Sequence, residues 1–225
     1  MVTVSLARPW LEFDLGAEMR VLSWAVNRPG FAMTRRIRWR EVRNADLPKT
    51  LDVGDWLDDE LAAVNASDAV AFLTSANITR FTTATVKVGR CTAQCVATVG
   101  LSNAERVGQR MARAKGDCGT INIAVRLNCG LTRPALIEAL SIATQARTAA
   151  VMEVDLTLAT GRATGTGTDC IAIAARPGPA LYAGLDTDIG EALGAAVYRA
   201  TLKGAREWKA DRVFVNEVSN NDKSA

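Results

Sequence analysis

The feature that most constrains the fold is a pair of neighbouring segments in the middle of the chain whose side chains alternate with a period of two. Residues 82–88 and 91–99 flank a Gly-Arg dipeptide, and a two-residue loop with glycine first is typical of a type II′ β-hairpin. Every second residue of the later segment is apolar, so these side chains share one face of a strand. We therefore predict an antiparallel hairpin with one buried face, in which Cys91 and Cys95 are small core residues rather than ligands.

Apolar periodicity and turn-forming residues place further elements along the chain. The other predicted strands are residues 19–26, 34–42, 69–74, 121–127, 153–158, 171–175 and 212–218. The predicted helices are residues 52–64, 132–150 and 188–208. Since strands outnumber helices and several are joined by hairpins, we predict the α+β class, with a mostly antiparallel β-sheet covered by two long alanine-rich helices. The pattern leaves open whether the strands form one sheet or two stacked sheets.

The domain organisation follows from the absence of a recognisable linker. We expect residues 1–225 to form a single domain, ending in a polar tail at 219–225 that is disordered. Within it, residues 35–40 (Arg-Arg-Ile-Arg-Trp-Arg) could bind an anion. We favour the alternative that they form the solvated face of an edge strand, where charges discourage aggregation.

Composition excludes several classes of site. The 225 residues include no histidine, which rules out a Ser-His-Asp or Cys-His arrangement and a His-ligated zinc site within one subunit. Five cysteines without a CxxC pair suit a reducing compartment. A net charge of +3 is too small to argue for nucleic acid. No apolar stretch approaches the roughly 18 residues of a membrane span, and the N-terminus does not resemble a secretory signal. We expect a cytoplasmic protein without a metal, a cofactor, or a nucleic-acid or membrane partner.

A segment rich in glycine and threonine is the strongest candidate for a functional site. Residues 159–170 (Ala-Thr-Gly-Arg-Ala-Thr-Gly-Thr-Gly-Thr-Asp-Cys) lead directly into the apolar run 171–175. Glycines at this density let the backbone come close to a ligand, while the threonines supply hydroxyls. The segment lacks the Gly-Lys-Ser/Thr ending of a P-loop and the dinucleotide pattern GxGxxG. We therefore predict a binding loop that is unsuited to nucleotides.

Two further loops have the same character. Residues 100–104 and 119–122, like 164–169, combine glycine with hydroxyl, amide or carboxylate groups at the end of a predicted strand. A cleft built from the three would offer many neutral hydrogen-bonding groups and few charges. Such a cleft favours a ligand rich in amides over one rich in phosphates.

The same residues carry a resemblance to a known family. Residues 101–104 (Leu-Ser-Asn-Ala), 119–123 (Gly-Thr-Ile-Asn-Ile), 143–148 (Ala-Thr-Gln-Ala-Arg-Thr) and 163–169 (Ala-Thr-Gly-Thr-Gly-Thr-Asp) resemble, in order, the signature blocks of the adenosylcobinamide amidohydrolases, the CbiZ family. Residues 182–184 (Tyr-Ala-Gly) fit its C-terminal block. The resemblance covers roughly residues 70–205.

The resemblance implies a role in corrinoid salvage, within vitamin B12 synthesis. Family members hydrolyse the amide that joins aminopropanol to the corrin ring of adenosylcobinamide, which gives adenosylcobyric acid. The cobalt corrinoid is then the substrate and not a cofactor. The several peripheral amides of this substrate agree with the neutral loops, and a homo-oligomer is compatible with the sequence.

Amide hydrolysis needs an activated nucleophile, stabilisation of the oxyanion and an acid for the leaving amine. Asp169 is the candidate base that activates water, since burial can tune a carboxyl group for acid–base work; alternatively, it caps its loop. Cys170 could be a covalent nucleophile, although burial beside a carboxylate argues against it. A self-cleaving amidase that uses Thr120 is a minor alternative. The candidate substrate-binding residues are Ser102, Asn103, Thr120, Asn122, Gln145, Gly165, Thr166, Gly167, Thr168 and Asp186, among which the backbone N–H groups of 165–168 could form an oxyanion hole.

Two positions depart from what the resemblance leads us to expect. Residues 144–147 read Thr-Gln-Ala-Arg in place of Thr-Glu-Ala-Lys, and residues 185–187 (Leu-Asp-Thr) stand where a histidine is expected. The alternative hypothesis is therefore a non-catalytic corrinoid-binding protein, altered at Gln145 and Asp186. A third is an amidase with another substrate.

Overall fold

The structure is a computed structural model that describes residues 1–48, 50–112 and 119–221. Its strands are β1 (Thr3–Ala7), β2 (Trp10–Ser23), β3 (Gly30–Glu41), β4 (Val70–Thr74), β5 (Thr82–Val88), β6 (Cys91–Val99), β7 (Ala104–Glu105), β8 (Ile121–Leu131), β9 (Thr157–Leu158), β10 (Gly161–Arg162), β11 (Gly165–Thr166) and β12 (Cys170–Pro177). Its α-helices are α1 (Val53–Ala63), α2 (Arg133–Glu153) and α3 (Asp188–Asn221).

Eight strands form one mixed sheet, which confirms the α+β class. The order is β4-β3-β2-β12-β8-β6-β5, and β1 pairs with β2 outside this path. The pairs β3–β4 and β12–β8 are parallel, whereas the other neighbours are antiparallel. The hairpin β5–β6 is confirmed in the predicted register, and Gly89 has the positive φ of 51° that the first loop residue of a type II′ turn requires.

This one sheet folds back into two layers because β2 is shared between them. The second half of β2 pairs with β12 and with the first half of β3. Its first half pairs with β1 and with the second half of β3, which in turn pairs with β4. The change of direction lies between Asp14 and Met19, where the β2–β3 register shifts and Gly16 has a φ of 79°. The choice that the sequence left open, one sheet or two, is thus resolved as one sheet that is bent over itself.

Three apolar clusters hold these layers together. α2 and α3 pack on the outer face of β12, β8, β6 and β5, with alanines of α2 such as Ala139 and Ala143 fully buried against that face. Between the two sheet layers, Trp39 of β3 meets Phe72 of β4 edge to face, with ring centroids 5.1 Å apart. α1 covers the outside of the second layer through Leu57.

Two of the helices begin at a residue whose side chain caps the first turn. The side chain of Thr132 accepts a hydrogen bond from Ala135 N at 3.3 Å, and a proline follows in the first turn of α2. Asp52 accepts from the amides of Gly54 and Asp55 at the start of α1. These caps fix where each helix leaves the sheet.

The prediction of an edge strand at residues 35–40 was wrong. β3 lies between β2 and β4, and its arginines reach carboxylates of neighbouring elements. The ion pairs are Arg35–Asp14, Arg36–Asp68, Arg38–Glu12 and Arg40–Glu60. Because these carboxylates flank β3, its arginines are paired within the fold, although Arg35 stays more than half exposed.

Two predicted strands near the C-terminus were also wrong. α2 continues to Glu153, so only β9 remains of the strand predicted at 153–158. The carboxylate of Glu153 accepts hydrogen bonds from Tyr198 and Arg206 of α3, which ties the end of α2 to that helix. The strand at 212–218 is instead part of α3. Of the predicted disordered tail, residues 219–221 belong to α3 and 222–225 lie outside the described residues.

Candidate functional site

A cavity of about 530 Å³ lies at one end of the sheet, where β8 and β12 begin and β2, β4 and β6 end. It is the place where the three predicted loops meet. Seven of the predicted site residues line it: Asn103, Thr120, Asn122, Gly167, Thr168, Asp169 and Cys170. The opposite wall is formed by residues 71–75, which belong to the second sheet layer.

The carboxylate of Asp169 joins two of the loops. Its Oδ1 accepts hydrogen bonds from Ile121 N at 3.1 Å and from Thr166 Oγ1 at 2.5 Å, and its Oδ2 accepts one from Thr166 N at 3.0 Å. Arg147 of α2 donates a further hydrogen bond to Oδ2. The two side chains of this ion pair are 7% and 13% exposed, so the pair is largely removed from solvent. Four donors thus occupy the two oxygens of the carboxylate.

The backbone at Gly165 makes room for this ion pair. A Cβ atom at Gly165 would collide with Nη1 of Arg147 and would lie 2.7 Å from Oδ2 of Asp169. Gly165 and Thr166 therefore support the site from behind and do not line the cavity. Arg147 occupies the position at which the family pattern led us to expect lysine, so the positive charge is retained there.

A chain of hydrogen bonds connects the other two loops. Asn103 Nδ2 donates to Thr168 Oγ1 at 3.2 Å, and that hydroxyl donates to Gly119 O at 2.9 Å. Gly167 N donates to Asn103 O at 3.3 Å. Asn103 is only 7% exposed, and its Oδ1 has no hydrogen-bond partner among residues 1–48, 50–112 and 119–221. A buried amide oxygen without a partner is costly, so this atom is suited to accept a hydrogen bond from a ligand.

Thr120 and Asn122 connect the site to the second layer. Thr120 Oγ1 lies 2.8 Å from Thr168 O and 3.1 Å from Asn122 Oδ1, and its single proton can serve only one of them at a time. Asn122 Nδ2 donates to Leu73 O of β4 at 2.7 Å. Both side chains are buried. This pair therefore fixes the distance between the two walls of the cavity.

Cys170 is placed where its thiol stays protonated. Burial raises its pKa to about 11, against a smaller opposing effect of the Ser23 hydroxyl. Its sulfur lies 3.7 Å from Ser23 Oγ. A thiol with this pKa carries little thiolate at neutral pH, which weighs against nucleophilic attack by Cys170.

The sequence analysis missed Trp24, which lines the cavity, and Asn27, which holds one of its walls. Trp24 is 45% exposed at the mouth of the cavity, and its indole N–H donates to Asp169 O at 2.8 Å. Asn27 binds β4 through both ends of its side-chain amide, to Ala71 N at 3.1 Å and Ala69 O at 2.9 Å. The local sequence around Trp24 and Asn27 does not indicate these contacts, because the residues that the two side chains bind lie on other elements.

Three predicted substrate-binding residues lie away from the cavity. Ser102 lines a neighbouring depression and accepts a hydrogen bond from Arg212 at 3.0 Å. Gln145 is exposed on α2 and Asp186 is exposed between β12 and α3. Asp186 follows the far end of β12, whereas Cys170 begins that strand at the cavity. Asp186 therefore lies beyond the far end of β12, whereas Gln145 stands two residues before Arg147, which binds the Asp169 carboxylate.

In the part of the chain that the structure describes, no helix combines the length and the apolar character that crossing a membrane requires.

Comparisons with known proteins give one strong match. A model of the adenosylcobinamide amidohydrolase (CbiZ) family matches residues 2–212. No protein of curated function matches the chain. Among solved structures, the chain is similar to the PH0078 protein from Pyrococcus horikoshii OT3, with a TM-score of 0.44 and 10% identity, over 87% of this chain and 76% of that one.

Proposed function

The chain belongs to the adenosylcobinamide amidohydrolase family, and from this premise we propose that its cavity binds adenosylcobinamide and hydrolyses the amide that joins aminopropanol to the corrin ring. The products are adenosylcobyric acid and aminopropanol. The observation that carries this proposal is the convergence of three loops with amide and hydroxyl groups on one cavity. A mostly apolar cavity with a few oriented polar groups is typical of small-molecule sites.

The size of the cavity decides which part of the substrate enters it. A volume of about 530 Å³ is too small for a whole adenosylated corrinoid. We therefore place the aminopropanol arm and its amide inside, with the ring across the mouth. Trp24 and Val26, which are 45% and 54% exposed there, would contact the flat, apolar part of the ring.

Within the cavity, the neutral groups are assigned to the scissile amide. Asn103 Oδ1 would accept the N–H of that amide, because it is buried and otherwise unpaired among the described residues. Thr168 N would donate to the developing oxyanion, since its present bond to Thr166 Oγ1 is long, at 3.5 Å. The amides of Thr166 and Gly167 are already engaged within the loop.

Asp169 remains the proposed base, with a condition that its contacts impose. Both of its oxygens are occupied by four donors, so a water molecule must displace one of them before it can be activated. The Thr166 hydroxyl is the donor that a side-chain rotation alone can remove. Arg147 would keep the carboxylate oriented while this happens. A cytoplasmic location stays a prediction from the sequence.

The test is incubation of the full chain with adenosylcobinamide, followed by mass spectrometry for adenosylcobyric acid and aminopropanol. The informative variant is Asp169→Asn, with Asp155→Asn, an exposed carboxylate paired with Arg162, as matched control. A base at Asp169 predicts a loss of kcat of about 10²–10⁴-fold with KM retained. The control should keep the wild-type rate.

The other outcomes are equally defined. If Asp169→Asn lowers the melting temperature and leaves kcat of the folded fraction unchanged, Asp169 is a structural anchor and not the base. If the wild-type chain forms no product, yet adenosylcobinamide raises its melting temperature, the protein binds corrinoids without turnover.

A further inference from the structure

Two cysteines on neighbouring strands lie close together at the end of the sheet opposite the cavity. Cys91 begins β6 and Cys129 lies near the end of β8, and their sulfur atoms are 2.8 Å apart. The last registered pair of these antiparallel strands is Ala93 with Leu127. Continuing the same register by two residues places Cys91 directly opposite Cys129.

This placement satisfies the geometry of a disulfide. Directly opposed residues of an antiparallel pair have Cα atoms about 4.5–5.5 Å apart, within the range of about 4.4–6.8 Å that disulfides span. Both cysteines carry free thiols in this structure. The strand register and the close approach of the sulfur atoms therefore both permit a bond between the two side chains without a change in strand pairing.

The two thiols differ in access and in acidity. Cys129 is half-buried, whereas Cys91 is 2% exposed. The hydrogen bond between the two thiols lowers the pKa of Cys129 to about 7, against opposing effects of burial and of Asp188. The same hydrogen bond, together with burial, raises the pKa of Cys91. Cys129 is thus the accessible thiolate and Cys91 the protonated thiol held behind it, as in an attacking and a resolving pair.

We propose that Cys91 and Cys129 are a reversible redox dithiol that closes to a cross-strand disulfide by exchange with a low-molecular-weight disulfide such as oxidised glutathione. The Cys129 thiolate attacks one glutathione sulfur, which forms a mixed disulfide and releases one glutathione thiolate. The Cys91 thiol then loses its proton to solvent and attacks Cys129 Sγ, which releases the second glutathione. The pair gives up two electrons, and one oxidised glutathione is reduced to two thiols.

The other described cysteines do not share this geometry. Cys95 is buried in the core, where burial alone raises its pKa. Cys170 lies beside the Ser23 hydroxyl at the cavity. The proposal therefore names one specific bond, and it does not depend on the proposed function.

The experiment treats the full chain with oxidised glutathione under non-denaturing conditions and counts free thiols before and after. Tryptic digestion without reductant should then give peptide 91–106 joined to peptide 127–147, and fragmentation should place the bond at Cys91 and not at Cys95. We expect the loss of two thiols, reversal by dithiothreitol and a higher melting temperature of the oxidised chain.

Variants separate this bond from adventitious oxidation. Cys129→Ser should abolish the linked peptide, whereas Cys170→Ser should leave it unchanged. The proposal is overturned if glutathione stays on Cys129 as a stable mixed disulfide, if the thiol count does not fall, or if the linked peptides contain another cysteine.

Discussion

The two ends of the sheet place cysteines in opposite chemical states. At the cavity end, Cys170 begins β12 and burial raises its pKa to about 11. At the far end, Cys129 lies on the adjacent strand β8, and its hydrogen bond with Cys91 lowers its pKa to about 7. The same residue type on neighbouring strands thus becomes inert or reactive according to what it contacts. The comparison teaches that burial favours the thiol at Cys170, whereas the contact with Cys91 favours the thiolate at Cys129.

Two Arg–Asp ion pairs show a similar contrast between a buried and an exposed setting. The Arg147–Asp169 pair is largely buried, whereas Arg162–Asp155, which lies nearby in sequence, has side chains 49% and 61% exposed. Removing one partner of a buried pair leaves an uncompensated charge, whereas an exposed partner is simply hydrated. The two pairs therefore serve as test and control for the architecture of the site.

The largest effect on stability is expected for Arg147→Met. It leaves the Asp169 carboxylate buried without its counter-charge, and we expect the free energy of unfolding to fall by about 3–5 kcal/mol. Arg162→Met should cost about 0–1 kcal/mol, because its pair is exposed. Urea denaturation of both variants measures the difference. Equal losses would show that burial does not distinguish the two pairs, and Arg147→Lys should recover part of the loss by restoring the charge.

A smaller effect is expected from one methyl group placed behind the ion pair. Gly165→Ala puts a Cβ against Arg147 and Asp169, so we expect a loss of about 1–3 kcal/mol. Gly167→Ala is the matched control, since its Cβ would meet only Asn103 Nδ2, at 4.0 Å, and should change stability by about 0.5 kcal/mol or less. Similar melting temperatures for the two variants would contradict the close approach at Gly165.

Trp24→Phe tests the mouth of the cavity. It removes the hydrogen bond to Asp169 O but keeps an aromatic ring. We expect the free energy of unfolding to fall by about 0.5–1.5 kcal/mol, with a higher KM for adenosylcobinamide at nearly unchanged kcat. A loss of kcat with KM unchanged would instead indicate that Trp24 acts on the reacting amide.

The pH dependence of thiol labelling sharpens the comparison of the two sheet ends. The labelling rate of Cys129 by iodoacetamide should reach half its plateau near pH 7, while Cys170, with a pKa of about 11, should stay nearly unlabelled at neutral pH. The lowered pKa of Cys129 also means that ionisation contributes stability above the free-thiol pKa of about 8.5. That contribution is lost as the pH falls through about 7. Equal labelling of both cysteines at pH 7 would refute the contrast.

The sequence predicted the parts of the fold that local pattern determines. The β5–β6 hairpin follows from alternation and a loop glycine, and α2 follows from its cap and its alanine spacing. The segment 212–218 misled because Val and Phe favour strands, whereas a strand also needs a partner that lies elsewhere in the chain. β1 and the first half of β2 were missed for the same reason, since their pairing with β3 depends on residues far along the chain.

The candidate site was predictable in part. The loop glycines and polar residues indicated which three loops would meet, because each stands at a strand end, and the parallel start of β8 and β12 brings two of them together. The role of Arg147 was not predictable, since its contact with Asp169 requires α2 to lie across the loop that precedes β12. Trp24 was missed because nothing in its local sequence shows that the indole reaches Asp169 O.

The sharing of β2 between both layers has a mechanical consequence. Trp24 follows β2 from the helix-backed layer, while residues 71–75 on β4 form the opposite wall of the cavity. The walls are joined by the Asn122 amide bond to Leu73 O and by the clasp of Asn27 on β4. Both walls thus belong to the strands that the bend between Asp14 and Met19 brings face to face, so the curvature of the sheet sets the width of the cavity.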